Sequence, residues 1–264
     1  MPVLSHDGID LWFEVFGSGP RVLVFNGSGA SIDTSRPLID ALATQCEVLV
    51  HDQRCLGRST IPVEQPSMAD YAADAARLLD HVGWSSAAVF GMSFGGMVAQ
   101  EFAVTWPERV ERLALLCTSP GGAGGSSAPL HLLADMEPAA RARTSLHHLD
   151  TRFDAEWLAE HPFDRAIVEQ IAARQAEEKS PERRRGDAMQ LEARRYHDVW
   201  DRLPRIACPT LVMCGEFDGL APPANSEAIA SRVAGSELRR YQGGHVFVAQ
   251  DRRAMPDVLA FLTA

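Results

Sequence analysis

Apolar runs alternate with longer amphipathic stretches through the first 120 of the 264 residues. Short, mainly apolar runs at residues 22–25, 47–50 and 113–117 are typical of strands that are covered on both faces. Residues 33–43 and 67–82 carry apolar side chains at helical spacing. Strands that alternate with helices predict an α/β fold, with a mostly parallel twisted sheet and helices on both faces.

The N-terminal residues 3–16 predict a β-hairpin at one edge of this sheet. Asp7 and Gly8 form a two-residue turn signal between the two arms. Apolar side chains then occupy every second position from Ile9 to Val15, as expected of a strand with one face on the core and the other in water. We therefore expect these residues to form an antiparallel edge of an otherwise mostly parallel sheet.

The pattern changes after Ser119. Residues 120–127 are rich in glycine and serine, which excludes a helix or strand interior, and the following sequence is helical and charged. Strands and helices alternate again from Cys208 onwards. We predict a core formed by residues 1–120 and 204–264, with a helical lid inserted at residues 121–203. The glycine-rich loop suits a movable hinge or a simple flexible connection.

Composition and charge narrow the class of protein. Apolar residues make up 46% of the chain and charged residues 23%, which is typical of a folded globular protein. A net charge of -10 and a pI near 5.4 disfavour nucleic-acid and anionic-membrane partners, because phosphate would be repelled. The five cysteines show no CxxC pair, and no cationic-apolar leader begins the chain. We expect a cytoplasmic protein without a disulfide framework.

A possible nucleophile lies in the segment Val-Phe-Gly-Met-Ser-Phe-Gly-Gly, which ends at Gly96. An apolar strand pattern leads directly into Ser93, with Gly91 and Gly95 on either side, and a helical pattern begins near Phe94. A strand, tight turn and helix in this order would force a strained backbone on the serine and expose its hydroxyl. The alternative is a turn of small residues with an inert serine.

This G-x-S-x-G motif in its strand-turn-helix context resembles the nucleophile elbow of the α/β-hydrolase superfamily. The resemblance extends over residues 9–118 and 205–262 and implies that Ser93 is a nucleophile. It further implies an acid and a base in the chain order Ser93, Asp218, His245, each in a loop after a predicted strand.

The chemistry requires each of these three residue types. A serine hydroxyl is a weak nucleophile until a base removes its proton, and histidine, with an ordinary pKa of about 6.5, is largely neutral and basic at pH 7. A carboxylate orients the imidazole and stabilises its cation. The family's G-x-x-D spacing favours Asp218, although Glu216, two residues earlier, remains an alternative.

The loop Asn26-Gly27-Ser28-Gly29-Ala30 follows the strand at 22–25. The resembled family often has His-Gly-x at this point, and the backbone N–H of x is one half of an oxyanion hole. The resemblance thus implies donors at the N–H groups of Ser28 and Phe94, with Gly27 at the glycine position and Asn26 in place of the usual histidine. The alternative is a loop that only connects a strand to a helix.

A second stretch, His51 to Ser59, resembles the family pattern D-x-R-G-x-G-x-S, with Cys55 where glycine is usual. We expect a structural turn that is held by an Asp52–Arg54 pair. In the predicted lid, Arg183-Arg184-Arg185 is expected to form a solvated helix surface. The spacing of the lid residues His147, His148, Asp150 and His161 fits no zinc pattern, so these histidines are expected at the surface.

A serine nucleophile on this fold predicts a hydrolase that cleaves a carboxylic ester of a small molecule through an acyl-enzyme on Ser93, with water as second substrate. We expect no cofactor and no metal, and the sequence does not indicate an oligomeric state. The same three residues would also suit a carbon-carbon (diketone) hydrolase, a lactonase or a cofactor-free peroxidase. A non-catalytic ligand receptor is the alternative from another class.

Overall fold

The computed structural model describes residues 2–264, which form one eight-stranded sheet flanked by helices. The strands are β1 (Val3–His6), β2 (Ile9–Gly17), β3 (Arg21–Phe25), β4 (Glu47–His51), β5 (Ala87–Met92), β6 (Val110–Leu116), β7 (Thr210–Gly215) and β8 (Glu237–Tyr241). The helices are α1 (Arg36–Ala43), α2 (Met68–His81), α3 (Phe94–Thr105), α4 (Pro138–Leu149), α5 (Ala155–Glu160), α6 (Pro162–Ala176), α7 (Pro181–Arg195), α8 (Pro223–Arg232), α9 (Phe247–Gln250) and α10 (Ala254–Leu262). None of these helices, within residues 2–264, combines the length and apolarity that a membrane span requires.

The strand order is β1-β2-β4-β3-β5-β6-β7-β8. Only β1 with β2 and β2 with β4 pair antiparallel, and all the other neighbours are parallel. The predicted hairpin is confirmed at the sheet edge, and Asp7 and Gly8 take positive φ angles of 47° and 77°, as a tight hairpin turn requires. The predicted α/β class is therefore confirmed.

Each face of the sheet has its own apolar core, because successive side chains of a strand point to opposite faces. Leu23 and Leu49 contribute to a core with residues of α2, α3 and α8. Their neighbours Val22 and Val48 contribute to the opposite core with residues of α1 and α10. Burial on both faces explains why the sequences of these strands are continuous apolar runs.

The loop after β4 is structural, but its predicted Asp52–Arg54 pair is wrong. Arg54 instead binds Asp74 of α2 through two hydrogen bonds of 2.7 and 2.6 Å. Asp52 accepts the backbone N–H groups of Ile32 and Arg58 at 2.7 and 2.8 Å. A pairing between helix and loop could not be inferred from the loop residues alone.

Helices α4 to α7 lie in the chain between β6 and β7. Two glycines of the glycine-rich loop that precedes them make close contacts. Gly121 pairs with Asp198 as an isolated antiparallel bridge, and a Cβ on Gly121 would overlap the His197 carbonyl. A Cβ on Gly124 would overlap the Trp200 ring. The glycines here permit close contact between the two ends of the helical segment.

Arg184 and Arg185 are exposed, in line with the solvated surface predicted for the arginine run on α7, whereas Arg183 is partly buried. Arg183 donates to the carbonyls of Cys55 and Gly57 at 2.9 and 2.8 Å, and Arg185 donates to Pro62 at 2.6 Å. These bonds attach α7 to the loop after β4. The charge pattern did not reveal them because their acceptors are backbone carbonyls more than 100 residues away.

His51 makes the stability of the fold sensitive to acid. Its side chain is 1% exposed, and burial lowers its pKa to about 4. The folded-state pKa is below the ordinary value of about 6.5, so the unfolded chain binds the proton more readily. The stability that the neutral His51 contributes is therefore present above pH 6.5 and is lost as the pH falls from 6.5 to 4, by roughly 1 kcal/mol per pH unit.

Replacement of His51 by Asn should make the free energy of unfolding, measured in urea between pH 4 and 7, fall less steeply with acidification than in the wild type. The exposed His147→Asn variant is the control, because its ring remains in contact with water in both states. Equal slopes for the His51→Asn and wild-type proteins would exclude His51 as the titrating group.

Candidate functional site

Ser93 occupies the single position between the end of β5 and the start of α3. Its φ and ψ angles are 56° and -119°, a conformation that costs a non-glycine residue about 1–3 kcal/mol. A Cβ on Gly91 would lie 2.6 Å from the Gly95 carbonyl oxygen, and one on Gly95 would overlap the Phe25 carbonyl. Glycine at these two positions allows the turn to pass between strand and helix.

Hydrogen bonds on both sides hold this turn in place. The Ser93 N–H donates to the Leu116 carbonyl of β6 at 2.8 Å. Its own carbonyl accepts the Gly96 N–H at 2.9 Å and the Thr118 hydroxyl at 2.8 Å. The strained backbone is thus determined by its neighbours, and the serine side chain points to the carboxyl edge of the sheet.

The structure brings Ser93, His245 and Asp218 together from the loops after β5, β8 and β7. His245 Nε2 lies 2.9 Å from Ser93 Oγ, and its Nδ1 lies 2.8 Å from Asp218 Oδ2. The Asp218 side chain is fully buried, and its Oδ1 accepts the N–H groups of Leu220 and Ala221 at 2.8 Å each. A hydroxyl, an imidazole and a carboxylate therefore form one continuous hydrogen-bond chain.

The alternative acid lies elsewhere. Glu216 is exposed, and its carboxylate accepts a 2.6 Å hydrogen bond from Gln242. The carboxylate that contacts His245 in this structure is that of Asp218.

The loop after β3 lies against the nucleophile turn, since a Cβ on Gly27 would be 3.6 Å from the Ser93 Cβ. Within residues 2–264, the N–H groups of Ser28 and Phe94 donate to no protein acceptor. Asn26, which replaces the histidine of the family pattern, is fully buried, and both polar atoms of its side chain lack a partner in the described chain.

Two parts of the helical segment contact the loops around Ser93. Gln190 of α7 accepts the Gly29 N–H at 2.7 Å. The carbonyl of Leu149, the last residue of α4, accepts the His245 N–H at 2.6 Å, and the Thr151 N–H donates to Phe217 at 2.9 Å. Sequence reasoning missed Gln190, because nothing in its local pattern signals a contact 161 residues away.

Of the histidines predicted at the surface of this segment, His147 is exposed, and His148 and His161 are partly exposed. His161 is partly buried, and its ring stacks on Trp157 at 3.8 Å. His148 is also partly buried, and burial, followed by the neighbouring His147, lowers its pKa. Arg194 and His245 lower the pKa of His148 further, whereas Asp218 opposes this shift, so His148 lies within electrostatic range of the Ser93–His245–Asp218 chain.

One group of side chains in the described residues has donor atoms close enough for a metal ion. Ligand atoms of Cys117, Asp218 and His245 lie within 4.8 Å of one another. Burial raises the pKa of the Cys117 thiol well above its usual value, so the thiolate that a metal would need is disfavoured. His245 Nδ1 already contacts the Asp218 carboxylate. This set is therefore better suited to hydrogen bonding than to metal coordination.

A sheet of this order, with a serine at the strand-to-helix turn, defines the α/β-hydrolase class. Residues 20–251 match the family model for the alpha/beta hydrolase fold, and the chain belongs to this family. It is 29% identical over 250 residues to a poly(3-hydroxyalkanoate) depolymerase of Ectopseudomonas oleovorans, over 91% of this chain and 83% of the relative. It is 28% identical over 263 residues to a putative carbamate hydrolase of Azorhizobium caulinodans, over 98% of this chain and 95% of the relative.

Among solved structures, a hydrolase from Pseudomonas aeruginosa PA01 superposes with a TM-score of 0.81 at 28% identity. The alignment covers 99% of this chain and 98% of that one. Family membership and these relatives support a hydrolase.

Proposed function

We propose that this protein is a carboxylic ester hydrolase that works through an acyl-enzyme on Ser93. The observation that carries the proposal is the hydrogen-bond chain from Ser93 through His245 to Asp218 at a strained strand-to-helix turn. The similarity to a poly(3-hydroxyalkanoate) depolymerase supports the same class of chemistry.

The geometry suggests the role of each group. His245 Nε2, 2.9 Å from Ser93 Oγ, accepts the hydroxyl proton as the oxygen attacks the ester carbonyl. The imidazolium then donates this proton to the leaving alcohol, and water repeats the sequence to release the acid. The Asp218 carboxylate accepts a hydrogen bond from His245 Nδ1–H, which keeps the ring proton on the nitrogen that faces away from Ser93. The same carboxylate stabilises the imidazolium.

The N–H groups of Ser28 and Phe94 are the proposed oxyanion hole. Ser28 belongs to the loop that lies against Ser93, and Phe94 is the first residue of α3, directly after Ser93. Neither N–H donates to an acceptor within residues 2–264. Donors aimed at the tetrahedral oxygen act without reorganisation, and the loss of one side-chain donor in another hydrolase costs about 2.7–4 kcal/mol. These are backbone donors, so they persist when the side chains change.

We further propose that residues 121–203 act as a lid. This segment contacts the loop after β3 through Gln190, the loop after β7 through Thr151 and the loop after β8 through Leu149. These three loops carry Ser28, Asp218 and His245. The segment thereby contacts each loop that contributes a proposed catalytic or oxyanion-hole residue, except the turn that carries Ser93. A cover at this edge would exclude bulk water and select the acyl and alcohol groups.

Labelling with a fluorophosphonate tests the proposal, because this reagent reacts with an activated serine. We expect one adduct, mapped to Ser93 by mass spectrometry, in the native but not the heat-denatured protein. A Ser28→Ala variant is the control and should remain reactive, since it keeps its backbone N–H. An adduct at another serine, or none, would refute the proposal. Turnover of a panel of aryl esters then distinguishes an enzyme from a receptor.

A further inference from the structure

A cavity of about 120 Å³ lies below the loop that follows β6. It is several times larger than the roughly 10–15 Å³ that one water needs. Its polar lining comes from Ser119, Ser126, Ser127, His131, His197 and two arginines, Arg194 and Arg195, of which Arg195 pairs with Glu192 at 3.7 Å. Met97 also lines it, and the Met97 N–H donates to the carbonyl of Ser93 at 3.2 Å. The cavity therefore begins one helical turn from the proposed nucleophile.

Arg194 of α7 is a buried cation in this cavity. Only 7% of the residue is exposed, and burial lowers its pKa to about 10, so it remains positive at neutral pH. Its Nη1 donates to the Ala128 carbonyl at 2.9 Å, whereas Nε and Nη2 have no partner within residues 2–264. No carboxylate of the described chain pairs with it. Such a charge is unfavourable unless an anion binds to it.

The unpartnered edge of Arg194 is the one that this protein uses elsewhere for carboxylates. Arg54 binds Asp74 through Nε and Nη2 at 2.7 and 2.6 Å. Arg152 binds Asp150 through the same two nitrogens at 2.9 and 2.6 Å. The two parallel N–H groups match the two oxygens of a carboxylate, which gives geometric selectivity as well as affinity.

The surroundings favour an anion. Burial lowers the pKa of His197 to about 3, so this ring is neutral at pH 7, and no acidic side chain of the described residues lines the cavity. Ser119 and Ser127 share one hydrogen bond of 2.6 Å, and Asn225 donates to Ser119 at 2.7 Å. The serine pair uses one of its two hydroxyl protons, so the other is available to a bound oxygen.

The wall of the cavity is also hydrogen-bonded to the loop that carries Asp218. The Ala128 N–H, next to the Ser126–Ser127 wall, donates to the carbonyl of Leu220 at 2.8 Å. The N–H of Leu220 in turn donates to Asp218. The cavity therefore lies beside the loop that positions the Asp218 carboxylate.

We propose that the Arg194 cavity binds a free carboxylate of the substrate. The preferred esters are then half-esters of short dicarboxylic acids, or short hydroxy acids that are acylated on the hydroxyl and keep a free carboxylate. This inference rests on the ester hydrolysis proposed above. The carboxylate would accept from Arg194 Nε and Nη2 and from a serine hydroxyl.

The test compares matched pairs of esters. Monomethyl glutarate and methyl valerate differ by a carboxylate on the acyl side, and 4-acetoxybutyrate and butyl acetate differ by one on the alcohol side. In at least one pair, the acid should be hydrolysed with a kcat/KM about 10- to 100-fold higher, as expected for hydrogen bonds to a charged group. An Arg194→Met variant should lose this preference and retain activity on the neutral ester.

Two further variants separate recognition from folding. Arg194→Lys keeps the charge but not the paired N–H groups and should retain only part of the preference. Arg165→Met removes an exposed arginine from α6 and should retain it in full. Equal activity on both members of each pair in the wild type, or an equal loss on both in Arg194→Met, would overturn the carboxylate assignment alone. Failure of every ester, together with absent labelling of Ser93, would instead refute the proposed hydrolase function.

Discussion

Replacement of Ser93 by alanine should lower kcat/KM for ester hydrolysis by roughly 10³-fold or more, with little change in stability. Alanine has no oxygen to attack the carbonyl, and His245 Nε2 loses the hydroxyl that lies 2.9 Å away. Initial rates with an aryl ester and thermal unfolding measure the two effects. An alanine variant that keeps most of its activity would exclude Ser93 as the nucleophile.

A Ser93→Gly variant should be as inactive as the alanine variant but more stable by about 1 kcal/mol. Glycine adopts positive φ without the strain that a side chain incurs, which outweighs its larger entropy in the unfolded chain. Alanine at the same φ of 56° keeps the strain. Equal stability of the glycine and alanine variants would mean that the turn stores no strain at this residue.

Replacement of Asp218 by asparagine should lower kcat by about 10³- to 10⁴-fold. The carboxylate now accepts from His245 Nδ1 at 2.8 Å, which directs the lone pair of Nε2 towards Ser93. An asparagine amide would donate to Nδ1 instead, so the ring proton would move to Nε2 and the base would be lost. Single-turnover kinetics, corrected for the folded fraction measured by circular dichroism, would test this.

Asp52→Asn is the matched control. Asp52 and Asp218 are 1% and 2% exposed, and each accepts two backbone N–H groups, but only Asp218 contacts a histidine. The Asp52 variant should lose about 1–3 kcal/mol of stability. A neutral amide would replace the carboxylate that accepts the two backbone N–H groups, and it would bind them more weakly. Its kcat, per folded molecule, should change little. The opposite ranking of the two variants would exchange their roles.

The strands and helices of the core were largely predictable, because burial on a sheet face or helix face imposes a local period on the sequence. The capping box of α2 is another local feature, since Ser67 and Asp70 lie three residues apart and bind each other's backbone N–H groups. The helical segment was harder to interpret. Its arginines and histidines resemble a solvated surface in sequence, yet Arg183 and Arg185 bind carbonyls of the loop after β4, and His148 is partly buried.

The candidate site also contains residues that the sequence predicted and residues that it did not. The strained turn at Ser93 was predictable from Gly91 and Gly95, and the loops with Asp218 and His245 from the strands before them. The structure brings these three residues within hydrogen-bond distance, and their catalytic roles remain proposals. Gln190 and Arg194 were not predictable, because a glutamine and an arginine on a charged helix carry no local sign of burial.

The sequence by itself determined the features that depend on neighbours along the chain: the order of strands and helices, the hairpin at Asp7-Gly8 and the glycines around Ser93. Only the tertiary structure decided that Asp218 rather than Glu216 contacts His245, that Arg54 pairs with Asp74, and that Arg194 is buried without a partner in the described residues. The physical reason is distance. A hydrogen bond requires two groups to lie about 3 Å apart. Across 20 to 160 residues, that separation is determined by how helices pack on the sheet and not by any pattern along the chain.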